Sequence, residues 1–238
     1  MLALALLAFA APLEAQEAKN CGAPINIDDG WTLATPGDVG MDAERLCSLD
    51  KLIAHWPDAN IHAVVIVRHG KLVMERYFSG TDQRWGMPLG KVDYAADVKH
   101  DLRSISKSAT SLLVGIALGE GKFPALDSPV FEAFPEFADL RTPEKMKITF
   151  LHLLTMSSGL KWDETTPYSN PANSERQLIA SVDPVRYVLE QPLVAPPGTV
   201  YNYSGGDTTL LAMALEKTTG RRLDDYAREK LFGPLGIV

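Results

Sequence analysis

Ser104 and Lys107 stand three residues apart in "RSISKSATSLLVGIALGEG", at the head of an otherwise apolar helical pattern. Positions i and i+3 share a helix face, so the serine Oγ and the lysine Nζ can meet. A serine hydroxyl is a weak nucleophile at neutral pH, and a neutral amine beside it can take its proton. Keeping that amine neutral needs partial burial or a second positive group. A helix N-terminus also sets backbone N–H groups near the point where negative charge grows during attack on a carbonyl. The same residues fit a plainer role, a serine N-cap beside a solvated lysine, and S-x-x-K alone does not separate the two. A third residue changes the weighting. Tyr203 lies far downstream in the glycine-rich "YNYSGGD", before a second helical pattern, where a phenol can relay a proton between serine and leaving group. Tyr201 is an equivalent candidate, and a tyrosine here can also serve only in packing.

Several elements must position these groups. "MDAERLCSLDKLIAHW" has Leu46, Leu49, Leu52, Ile53 and Trp56 at helical spacing, with Asp42 as cap. Ala63 to Val67 and Leu72 to Phe78 read as strands joined by a tight turn at His69-Gly70-Lys71. Gly22 to Gly40 reads as an irregular lead-in, and Asp82 to Lys99 as a loop. The Ser104 helix presents Ala109, Leu112, Leu113, Ile116 and Ala117 inward and stops at Gly119 and Gly121. A short helix follows at Phe150 to Met156, then two pieces between Ser174 and Leu189 that divide at Asp183-Pro184, because proline disfavours helix in the residue before it. Thr208 to Thr219 forms a buried helix closed by Gly220, and Leu223 to Phe232 a last one. Two strands alone leave long unpaired edges, so a larger sheet is expected than these residues supply.

The chain has 238 residues, 46% of them hydrophobic, enough for a sizeable core. A net charge of −7 without basic runs argues against a nucleic-acid partner. The apolar run from Leu2 to Ala11 is too short to span a bilayer and reads as a secretory signal over residues 1–18, although no Lys or Arg precedes it. Export to the periplasm or medium follows, with residues 19–238 as the folded domain. Cys21 and Cys47 are the only cysteines, and an oxidising compartment would permit one bridge between them. The histidines at 55, 62, 69, 100 and 152 are scattered over different segments without H-E-x-x-H or H-x-H spacing, so neither a metal nor another cofactor is expected. Trp162, Asp163 and Glu164 follow a glycine turn and are placed at the border of a cleft. The two adjacent carboxylates should diverge, which argues against glycosidase chemistry.

"SISK", "HLLTMSSGLKWDE" and "PPG…YNYSGGDTTLL…TTG", in that order, resemble the serine β-lactamase and penicillin-binding-protein superfamily, in its class C-like and esterase branch. "LDSPVFEAFPEF" and "LFGPLGIV" fit as well, and the segment ending "VVIVRHGKLVMERYFSG" is most similar to 6-aminohexanoate-dimer hydrolases. The resemblance implies an α/β (α+β) fold, an antiparallel sheet flanked by helices beside a mainly helical region. It implies Ser104 as acylated nucleophile, Lys107 as base partner, Tyr203 as the opening of a Tyr-x-Asn motif, and a small-molecule ester or amide as substrate. Gly205 replaces the asparagine of that motif, which weakens a β-lactamase assignment and favours an esterase or oligomer amidase. Gly205, Asp207 and Trp162 are then the substrate-binding candidates, with Asp207 equally suited to capping the helix. A β-lactamase or D-alanyl-D-alanine carboxypeptidase remains an alternative, as does a non-catalytic binding module with a degenerate site. The family's third motif, a Lys-Thr-Gly or His-x-Gly triad on a later strand, is missing. "EKTTG" at 216–220 reads as a helix end, so the chain is expected to be a fragment whose remaining sheet strands lie beyond it.

Overall fold

A computed structural model describes residues 24–84 and 87–237. The 1–18 signal and Cys21 therefore lie outside the described residues. The chain divides into two compact units, residues 1–101 and 102–238.

In the first unit, strand β1 (Thr32–Leu33) pairs parallel with β3 (Lys71–Tyr77), and β2 (Ala63–Arg68) pairs antiparallel with β3. The sheet is thus mixed rather than purely antiparallel, with β3 central. Three consecutive β3 residues, Leu72, Val73 and Met74, are buried accordingly. His69 and Gly70 both take positive φ (50° and 70°), the left-handed pair that a two-residue hairpin turn demands. Helices α1 (Ala43–Cys47) and α2 (Leu49–Ala54) follow the lead-in, and the Asp42 carboxylate caps α1 by accepting from Arg45 N–H at 3.0 Å. The expected single helix breaks at Ser48. Leu46 packs with Val39, Val73 and Met74, whereas Leu52 and Trp56 are exposed, contrary to the predicted stripe. Cys47 is disulfide-bonded.

The loop expected over residues 82–99 holds only at 94–99, because strands take up the rest of the described segment. Strands β4 (Ser79–Arg84) and β5 (Met87–Asp93) form an antiparallel hairpin. Glycine, proline and charge hide the alternation that marks a strand, and Met87 and Leu89 are exposed rather than buried. Hydrogen bonding holds β4 instead. The Asn60 side-chain amide donates to Thr81 O at 2.7 Å and accepts from Thr81 N–H at 3.0 Å.

The second unit is helical, and α7 (Gly205–Thr219) runs through its core with Leu210, Leu211, Ala214 and Leu215 buried, as the sequence pattern predicts. Around it lie α3 (Ile105–Gly119), α4 (Phe150–Leu154), α5 (Ser174–Ala180), α6 (Pro184–Glu190) and α8 (Leu223–Ala227). Helix α3 buries Thr110, Leu113, Val114 and Ala117, and Leu112 is exposed. Its inner face is therefore rotated from the predicted one, because Thr110 satisfies its own hydroxyl by donating to Ser106 O and can face the core. Pro184 opens α6 and the Asp183 carboxylate caps it, accepting from Arg186 N–H at 2.9 Å, so the expected break falls in place. The last predicted helix is shorter, since Arg228–Phe232 winds into a π turn after α8.

Candidate active site

Two helix N-termini bring the sequence candidates together. Ser104 precedes α3 in helical conformation (φ −68°, ψ −9°) and makes no side-chain capping bond. Its hydroxyl is therefore free for other work, and Lys107 Nζ donates to Ser104 Oγ at 3.2 Å. The amides of Ile105, Ser106 and Lys107 donate to the carbonyls of Leu102, Arg103 and Ser104. The turn's amides are thus committed, and among the described residues Ser104 N–H is the one there without an acceptor. Arg103 holds φ at +46°, a left-handed conformation strained for a side chain of this kind, directly before the serine.

Tyr203 reaches the same place from the other helix. Lys107 Nζ lies 4.9 Å from the centroid of its ring, which puts the ammonium over the aromatic face. The loop that carries Tyr203 is pinned by Asn202, whose N–H donates to Met156 O (2.8 Å) and whose side-chain amide donates to Trp162 O (3.0 Å). Tyr201 is exposed, and its hydroxyl contacts the Met156 sulfur at 3.9 Å. Lysine, serine and Tyr203 thus form one cluster.

The three substrate-binding candidates lie behind this cluster, not at an open surface. Trp162 is buried, with its ring pressed under α7: a Cβ on Gly206 would fall 2.7 Å from the ring. The indole N–H donates to Glu164 Oε1 at 2.7 Å. Asp207 is not the cap of α7, because Ser204 takes that role by accepting from Asp207 N–H at 3.0 Å. The Asp207 carboxyl is 1% exposed and neither oxygen has a partner in hydrogen-bond geometry. Burial pushes it up to about 7, and the nearby Ser158 and Ser204 groups pull it back only in part.

Gly205 shows why the third position of the motif has no side chain. A Cβ there would stand 1.8 Å from Glu175 Oε2 and 3.0 Å from Glu164 Oε1. Two carboxyl groups fill that space. Glu164 accepts from Gly205 N–H, at the positive end of α7, and from Tyr168 OH at 3.3 Å. Glu175, at the start of α5, has its carboxyl raised first by burial and next by the charge of Glu164, while Lys107 pulls it down. Sequence reasoning placed Glu164 at the border of a cleft but did not bring Glu175 to it, and the glycine was the one sign of a filled space. Asp163, by contrast, turns away to bind Thr165 and Thr166, which hold its carboxyl well below the usual range. The adjacent carboxylates diverge as expected.

"EKTTG" closes α7. Gly220 takes φ +67° and donates to Glu216 O at 2.9 Å, and Lys217 pairs with Glu136. In the first unit two of the five histidines, scattered in sequence, meet: His62 Nδ1 lies 2.7 Å from His100 Nε2.

Comparison with known proteins identifies the family and the fold. The family described as Beta-lactamase matches residues 49–238. A curated protein of Salmonella enteritidis PT4 named "Putative D-alanyl-D-alanine carboxypeptidase" is 25% identical over 214 residues, which are 87% of this chain and 49% of that protein. The chain thus spans about half the length of the curated relatives it matches. Among solved structures, EstCE1, described as a hydrolase with promiscuous acyltransferase activity, superposes with a TM-score of 0.61 at 24% identity, covering 82% of this chain and 51% of that one. A "Putative 6-aminohexanoate-dimer hydrolase from Bacillus anthracis" gives 0.58 at 23% identity, covering 87% and 50%. Such likeness establishes the fold.

Proposed function

Because the chain belongs to the β-lactamase family, whose members are serine hydrolases, we propose that it carries the nucleophile half of an acyl-enzyme hydrolase acting on small esters or amides. The observation that carries the reading is the 3.2 Å contact between Lys107 Nζ and Ser104 Oγ, with the Tyr203 ring beneath the same nitrogen. In its neutral form the Lys107 amine takes the hydroxyl proton as Ser104 Oγ bonds to the carbonyl carbon. Ser104 N–H donates to the oxygen that gains charge. When the tetrahedral adduct collapses, the alcohol or amine departs with a proton supplied by Tyr203, which regains one from Lys107. Water then attacks the acyl-serine and releases the acid.

An ester or linear-amide substrate, of the esterase or 6-aminohexanoate-oligomer kind, suits the site better than a β-lactam. No side-chain amide projects from Gly205 to hold an acylamino carbonyl, and the Glu164–Glu175 pair occupies its space. The carboxypeptidase name of the Salmonella relative favours a peptide as the second reading. Export to an oxidising compartment agrees with the disulfide-bonded Cys47. Mass spectrometry after treatment with a fluorophosphonate ester tests the chemistry. One phosphonyl adduct is expected on Ser104 and none in Ser104→Ala; an unmodified Ser104 refutes the proposal. Comparing p-nitrophenyl acyl esters with a chromogenic cephalosporin tests the substrate class, with faster turnover of the ester expected.

A further inference from the structure

The first unit holds a cluster that the hydrolase reading does not use. His62 precedes β2, Asp82 lies in β4 and His100 follows β5, yet one potential ligand atom from each falls within 4.8 Å of the others. The His62 ring is held on two sides. It stacks on Tyr94 (centroids 4.4 Å, planes 18° apart), and it lies so close to β4 that a Cβ on Gly80 would come within 2.5 Å of it. Tyr94 in turn donates its hydroxyl to the Asp82 carboxylate.

His62 Nε2 faces the Thr81 carbonyl at 3.1 Å, and His100 Nδ1 faces the Asp101 carbonyl at 3.0 Å. A carbonyl oxygen only accepts, so each of these outer nitrogens carries the hydrogen. In the neutral rings that leaves lone pairs on His62 Nδ1 and His100 Nε2, which point at each other across 2.7 Å. Two lone pairs at that distance repel, and a positive centre between them resolves the conflict.

We propose that His62 Nδ1, His100 Nε2 and the Asp82 carboxylate form a binding site for a late first-row divalent cation such as zinc. The donor set of two imidazoles and a carboxylate suits zinc, cobalt, nickel or copper rather than magnesium or calcium. Each histidine's outer N–H on a carbonyl, and a hydroxyl on the ligating carboxylate, are the supports that fix ring orientation and tautomer at protein metal sites. Zinc–nitrogen bonds of about 2.0–2.1 Å at a tetrahedral angle place the two nitrogens roughly 3.3 Å apart, so the pair must open by about 0.6 Å. His100 is exposed and can move by that much. Both rings also border an open pocket of about 540 Å³ lined by Asn60, Tyr77 and Tyr94 among others, which leaves room for water or an outside ligand on the ion.

The test is titration of chelator-treated, tag-free protein with zinc chloride by calorimetry, and with cobalt(II) by visible absorption. One equivalent is expected to bind, and cobalt should develop the intense d–d bands of a low-coordinate site. His100→Ala alters an exposed ring and should weaken binding by more than about 100-fold, and Asp82→Asn by at least about 10-fold. Circular dichroism of the metal-free variants must match the parent, which separates ligand loss from misfolding; should Asp82→Asn fail this check, His62→Gln replaces it. Absence of stoichiometric binding means the imidazoles share only a proton and overturns the site. Undiminished affinity in His100→Ala together with either partner variant overturns it equally.

Discussion

Asp207 offers a quantitative test of how the active-site helix is supported. Its carboxyl is buried beside the start of α7, and its ionisation is displaced from the ordinary 3.8 up to about 7. A raised value in the folded state means that folding favours the protonated acid. Below about pH 3.9 the group is protonated in both states and has no pH-dependent effect. Between that value and about 7 the unfolded chain ionises while the folded one does not, so stability falls by about 1.4 kcal/mol per pH unit. Above 7 both states are ionised and the accumulated loss levels off at about 4 kcal/mol, a large part of the 5–15 kcal/mol typical of a domain. Asp207→Asn keeps the shape and removes the ionisation. Urea unfolding of both proteins between about pH 4 and about pH 8 yields the difference curve, from which other titrating groups cancel. Relative to its value at the acid end, the variant should gain up to about 4 kcal/mol at the alkaline end. Parallel curves would mean that Asp207 ionises as freely when folded as when unfolded, and the burial argument would be wrong.

Two further changes probe the same framework. Gly205→Asn restores the side chain that the resemblance expects but drives it into Glu175 Oε2, so it should cost about 1–3 kcal/mol in urea unfolding. Glu175→Ala should recover part of that cost in the double variant, and strict additivity would show that the two groups do not compete for one space. Asp183→Ala removes the cap on Arg186 N–H and should destabilise the protein by about 1 kcal/mol, with Asp183→Asn close to neutral; equal losses in the two would exclude capping as the cause.

Much of the framework was readable locally. The His69-Gly70 turn, the Asp42 cap, the break at Pro184 and the closure of α7 at Gly220 each depend on a few adjacent residues whose φ or hydrogen-bonding preferences leave little choice. The meeting of Ser104 with Lys107 is of the same kind, because helical spacing alone puts both on one face. What the hydroxyl does there was not readable, since an N-cap and a lysine-bound serine share a sequence and differ only in where Oγ points. Tertiary structure decided the rest. The β4–β5 hairpin carries no apolar alternation, and its pairing energy lies in a ladder whose partner strand composition does not name. Packing turned α3 so that Thr110 went inward and Leu112 outward. The Glu164–Glu175 pair around Gly205, the desolvation of Asp207 and the facing rings of His62 and His100 all join residues from separate segments. Sequence spacing governs what one helix or turn can bring together; burial and long-range approach set the charge of a carboxyl or the encounter of two imidazoles, and these exist only once the chain has folded.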